Sequence, residues 1–158
     1  MFLEGQTAPN FTLQGSDGKQ HSLKDYAGRI LVLYFYPRDN TPGCTAEAIG
    51  FSKVQPFFEQ MGGVVVGVSK DSLKSHEKFV CEFNIPFTLL SDPDAAVMKA
   101  YGAYGEKVSY GKTTVGSIRS TVVIAPDGMV IKHWPTIPKA SEHPDKVLDF
   151  FKMLAKGR

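Results

Sequence analysis

Ile30-Leu31-Val32-Leu33-Tyr34-Phe35-Tyr36, followed by Pro37-Arg38-Asp39-Asn40-Thr41-Pro42-Gly43-Cys44-Thr45, sets the architecture of the chain. Seven nearly unbroken apolar residues read as a strand buried on both faces. A Pro- and Gly-rich turn follows, and then a helix-compatible run from Pro42 to Met61. Thr41 suits the cap position, Pro42 suits the first turn, and Gly62-Gly63 can end the helix. Val64 to Val68 is a second apolar run. Strand, helix, strand implies a parallel pair joined by a right-handed crossover.

Working outward, Asn10 to Leu13 and Gln20 to Leu23 flank Gly15-Ser16-Asp17-Gly18 and read as an N-terminal hairpin. Asp71-Ser72 can open a second helix, with Leu73, His76, Val80 and Phe83 on one face and Pro86 as its limit. Thr88 to Leu90 reads as a short strand and Asp94 to Tyr101 as a short helix. A Gly- and Tyr-rich loop is expected over Gly102 to Ser117. Ser120 to Ile124 and Met129 to Trp134 flank Ala125-Pro126-Asp127-Gly128, a strong hairpin turn, and Pro144 to Lys156 closes the chain as a helix. This order predicts an α/β protein with a mixed central sheet flanked by helices, the plan of the thioredoxin-like fold. The length predicts one domain over residues 1–158.

A net charge of +2, with no run of Lys or Arg, argues against a nucleic-acid or membrane surface. The start, MFLEGQTAPN, has neither the basic region nor the apolar run of a signal peptide, so a cytoplasmic location is the default expectation. Two cysteines, Cys44 and Cys81, are too few for a disulfide scaffold. The cysteines and the four histidines, His21, His76, His133 and His143, show no close ligand spacing, so neither a metal nor a cofactor is expected. The histidines read as surface or partly packed residues. A Cys–His nucleophile pair stays open on spacing alone, with no histidine selected. A thioredoxin-type CxxC is absent, because positions 41 and 47 are Thr and Glu.

Cys44 falls in the first turn of a helix at the C-terminal end of a buried strand, where α/β folds place ligand sites. Unpaired N–H groups and the helix dipole favour an anion there. A free thiol of pKa about 8.5 is only about 3% ionised at neutral pH, and a shift to about 6 requires about 3.4 kcal/mol. A helix terminus supplies only ~0.3–1 kcal/mol. A cation is therefore needed, either Arg38 nearby or Arg119, the latter if its strand lies beside Ile30 to Tyr36. Thr41 reads as a plain cap or as a hydroxyl that also binds a substrate oxygen. Pro37 either shields the thiol or ends the strand. Glu47, one turn beyond Cys44, either holds Arg119 bidentately or is an exposed surface glutamate. Cys81 reads equally as packing or as a partly exposed redox thiol.

At these residues the sequence resembles the peroxiredoxins. Pro37, Thr41 and Cys44 match the family's PxxxTxxC motif, and Arg119 matches its distant arginine. Tyr36-Pro37, Thr41 to Thr45, Glu47-Ala48, Gly50-Phe51, Pro86-Phe87, Leu89 to Asp92, Tyr101-Gly102, Gly105-Glu106-Lys107, Tyr110-Gly111-Lys112, Arg119-Ser120-Thr121 and Pro126-Asp127-Gly128 are similar to the peroxiredoxin Q branch, also called bacterioferritin comigratory protein. Many members of that branch carry a second cysteine five residues after the first. Here that position is Ile49, and Cys81 fits the version with the resolving cysteine on the next helix.

The resemblance implies a thiol peroxidase. Cys44 attacks the peroxide, Thr41 and Arg119 hold its oxygens, and Cys81 closes an intramolecular disulfide that thioredoxin or a similar dithiol protein reduces. It also implies a monomer. A one-cysteine peroxidase is the main alternative, and a non-catalytic binding or holdase module is a third reading.

Overall fold

The computed structural model describes residues 2–157. The first strands, β1 (Thr12–Gly15) and β2 (Gln20–Ser22), form the expected hairpin, and a 3-10 turn at Leu23–Tyr26 follows. β3 (Ile30–Phe35) is buried along its whole length. It pairs in parallel with β4 (Gly63–Ser69) and antiparallel with β8 (Ser120–Ile124). Its side chains alternate between two cores. Leu31, Leu33 and Phe35 enter one, with Met98 and Tyr101, while Ile30, Val32 and Tyr34 enter the other, with Phe51 and Phe58. Such a strand has no polar face to show, which explains the unbroken apolar run.

β5 (Thr88–Ser91) and β9 (Val130–Trp134) complete one seven-stranded sheet, in the order β2-β1-β5-β4-β3-β8-β9. α1 (Pro42–Gln60), α2 (Leu73–Phe83) and α4 (His143–Lys156) bury Phe51, Phe79 and Phe151 in the same core. Each such ring contributes ~1.5–3 kcal/mol by leaving water. α3 (Ala96–Ala100) packs Met98 into the opposite core. Gly62, at φ +76, makes the turn from α1 into β4, where a side chain would be strained. The mixed sheet between helices is the expected thioredoxin-like architecture.

The stretch read as a loop over Gly102 to Ser117 is instead an antiparallel ribbon, β6 (Tyr104–Ser109) and β7 (Lys112–Ser117), outside the main sheet. Tyr110 and Gly111, both at positive φ, form its two-residue turn. Most of β7 is exposed, so no alternation of apolar residues marked it. The histidine reading also needs correction, since His76, His133 and His143 are buried. Among the described residues, no helix is long and apolar enough to cross a membrane.

Candidate active site

The site forms where β3 ends. Pairing of Phe35 with Ser120 brings Arg119, the residue before β8, level with the turn that leads into α1. Asn40, at φ +61, completes that turn. The first intrahelical bond runs from the Thr45 N–H to the Thr41 carbonyl at 2.8 Å, so the Cys44 N–H stands ahead of the helical ladder.

Cys44 is 1% exposed. The Arg119 guanidinium divides between two acceptors. Nη2 donates to Cys44 Sγ at 3.2 Å, and Nη1 donates to Glu47 Oε1 at 2.6 Å. Glu47 is 0% exposed, which excludes the surface-glutamate reading. The expected bidentate contact is not made: among the described residues Glu47 Oε2 is buried without a partner. Geometry explains why, because the second guanidinium nitrogen is turned to sulfur. Burial pushes the Glu47 carboxyl up to about 7, although Arg119 pulls it down. Burial alone would lower the Arg119 pKa, but Glu47 and Cys44 outweigh it and raise it.

Gly43 allows this approach. A Cβ at that position would lie 3.3 Å from Arg119 Nη2. Arg38, the other candidate cation, is exposed. Thr41 stands at the cap position, but its hydroxyl donates to the Arg38 carbonyl at 3.0 Å and does not cap the helix. Pro37 is half-buried beside the turn. Cys81 lies on the exposed side of α2, and both cysteines are free thiols. Ile49 is on the solvent side of α1 at 37% exposed.

Tertiary packing also gathers Asp39, Asp71 and His76, whose ligand atoms lie within 4.8 Å of one another. No ligand spacing along the chain marks this cluster. Its polar atoms are turned to hydrogen bonds within the protein: His76 uses Nδ1 on Asp39 and Nε2 on the Leu90 carbonyl.

A thiol in the first turn of a helix, hydrogen-bonded to a half-buried guanidinium at the end of a thioredoxin-like sheet, defines a thiol-based redox enzyme. The chain belongs to the AhpC/TSA family, whose model matches residues 4–133, and it is a peroxiredoxin, a thiol-dependent peroxidase. It is 48% identical over 145 residues to a putative peroxiredoxin Bcp of Helicobacter pylori, covering 92% of this chain and 95% of that one. The structure of the Xanthomonas campestris bacterioferritin comigratory protein, studied for its alkyl peroxide reduction activity, is 41% identical, with a TM-score of 0.85 over 92% of each chain. A Cys-to-Ser mutant of Xylella fastidiosa PrxQ superposes with a TM-score of 0.86 at 38% identity, over 98% of this chain and 95% of that one.

Proposed function

We propose that the protein reduces hydrogen peroxide and organic hydroperoxides, with Cys44 as the peroxidatic and Cys81 as the resolving cysteine. The observation that carries this reading is the Arg119 guanidinium shared between Cys44 Sγ and Glu47 Oε1. A fixed positive charge beside sulfur favours the thiolate, and its remaining N–H donors are suited to a peroxide oxygen. Thr41 donates its hydroxyl proton to Arg38, which leaves oxygen lone pairs to accept the peroxide hydrogen. The Cys44 N–H is a further donor, and Pro37 shelters the sulfur from water.

Thiolate sulfur attacks one peroxide oxygen and the O–O bond breaks. Cys44 becomes a sulfenic acid, and the other oxygen leaves as an alkoxide or hydroxide that takes up a proton. The Cys81 thiol then attacks the Cys44 sulfur, the S–O bond of the sulfenic acid breaks with loss of water, and a disulfide forms within the chain. Thioredoxin or a similar dithiol reductant restores both thiols by exchange. This cycle needs a reducing compartment, the cytoplasm, and no second subunit. We therefore take the working form to be a monomer, which sedimentation at micromolar concentration tests.

One observation favours a second reading, a one-cysteine peroxidase: Cys44 is buried whereas Cys81 is exposed, and both are free. Peroxide consumption followed by mass mapping separates the two. Cys44→Ser abolishes consumption in both readings. A Cys44–Cys81 disulfide after one equivalent of peroxide supports the first, and a lone sulfenic or sulfinic acid overturns it.

A further inference from the structure

A polar cluster outside the Cys44 site, with Asp39 and His76 buried at its centre, joins the turn ahead of α1 to α2. Asp39 and His76 meet at 2.7 Å between Oδ2 and Nδ1, with side chains 3% and 0% exposed. Tyr36 donates its hydroxyl to Asp39 Oδ1 at 2.6 Å, and Ser75 donates to Oδ2 at 2.8 Å. The Asp39 N–H donates to Asp71 Oδ2 at 2.8 Å. On the far side of the ring, His76 Nε2 lies 2.9 Å from the Leu90 carbonyl. A carbonyl only accepts, so Nε2 carries hydrogen. Nδ1 then faces a carboxylate with one proton between them, a charge-assisted bond removed from water. Neither Asp39 nor His76 hydrogen-bonds Cys44, Thr41, Arg119 or Glu47 among the described residues.

The placement of this pair suggests its role. Asp39 lies in the turn that carries the chain to Cys44, and His76 lies in the first turn of the helix that carries Cys81. The two cysteines are not bonded, one is buried and the other exposed, and a disulfide requires their Cα atoms within ~7 Å. In the two-cysteine reading, the buried Cys44 and the exposed Cys81 meet through opening of α2, of the first turn of α1, or of both. We infer that Asp39 and His76 are positioning residues whose buried pair latches α2 onto the Cys44 turn and sets the rate at which Cys81 is released toward oxidised Cys44. The inference rests on the two-cysteine reading proposed above. Fraying of α2 from Asn84 loosens the turn that carries Cys81, but the length of chain that can move toward Cys44 ends at the bond that holds His76.

The test follows both steps of the reaction in rapid-quench experiments with hydrogen peroxide. Asp39→Asn keeps the shape but removes the charge, and its amide NH2 cannot accept the proton that the Ser75 hydroxyl gives to Oδ2. It should accelerate the first-order disulfide step about tenfold, equivalent to ~1.4 kcal/mol less resistance to opening. The second-order peroxide step should be unchanged. Because sulfinic acid forms only while the sulfenic acid waits, the peroxide concentration giving half-sulfinic product should rise by the same factor. Tyr36→Phe, which removes one hydroxyl, should act in the same direction with a smaller effect and serves if Asp39→Asn does not fold. A disulfide step no faster than in the native protein in the variant used overturns the latch, as does a parallel fall in both steps. If the native protein forms no Cys44–Cys81 disulfide, the two-cysteine reading fails and the latch with it. If that disulfide forms but its rate ignores Asp39, the latch alone fails.

Discussion

Glu47 and Arg119 meet through one oxygen and one nitrogen at 2.6 Å, inside a site where Glu47 is fully buried. The guanidinium is therefore anchored on one side only, and its other nitrogen is free to meet sulfur. A lysine cannot reproduce that fork, because its charge is a point on a flexible stem.

Arg119→Ala should slow the second-order reaction with hydrogen peroxide by about 10²–10³-fold, the usual loss for one donor aimed at developing charge. Arg119→Lys should recover only part of it. Iodoacetamide alkylation of Cys44 at neutral pH should slow in both variants. Stopped-flow kinetics and alkylation rates together check this, and an unchanged alkylation rate would show that the guanidinium does not activate the thiol.

Glu47→Gln should slow peroxide reduction, by roughly tenfold if losing the anchor costs ~1.4 kcal/mol of positioning. It should also change the pH dependence of stability. The folded-state pKa of Glu47, about 7, lies above its ordinary 4.5. The native protein then binds this proton more tightly than the unfolded chain. The associated stability is full below about 4.5 and is lost as pH rises to about 7, by up to about 3 kcal/mol. Urea melts of both proteins at pH 5 and pH 8 should show a larger decline with pH in the native protein than in Glu47→Gln. Parallel declines would defeat the assignment.

Gly43→Ala separates activity from stability. Alanine favours the helix over glycine by up to ~1 kcal/mol, so the melting temperature should hold or rise. The new Cβ, 3.3 Å from Arg119 Nη2, should displace the guanidinium and slow peroxide reduction several-fold, about 1 kcal/mol. A fall in stability with full activity would reverse this reading.

Hydrogen exchange on the reduced and disulfide forms should show where the chain opens. Protection should fall in the disulfide form over Thr45 to Gly50 and Lys78 to Asn84, and stay constant in β3, β4 and β8. Equal protection in both forms would mean that the disulfide closes without unwinding either helix.

Much of this was legible from residue order. The apolar run Ile30 to Tyr36 announced a central strand because a strand flanked on both edges and both faces has no place for polar side chains. Thr41 to Cys44 announced a helix start because Pro and Gly in a first turn are local signals, independent of partners. The β6–β7 ribbon was not legible, since its pairing is local but its faces are largely solvated and leave no hydrophobic period. The burial of Glu47, the fork of Arg119 across a gap of 72 residues, and the joining of Asp39 to His76 across 37 were decided only by tertiary structure. Residue order alone identifies the groups with the chemistry for a reactive thiol: a cysteine at a helix start, an arginine beside a strand and a carboxylate one turn along. That these groups share one largely buried site came from the packed sheet, because burial and the direction of a side chain depend on neighbours brought together from distant parts of the chain.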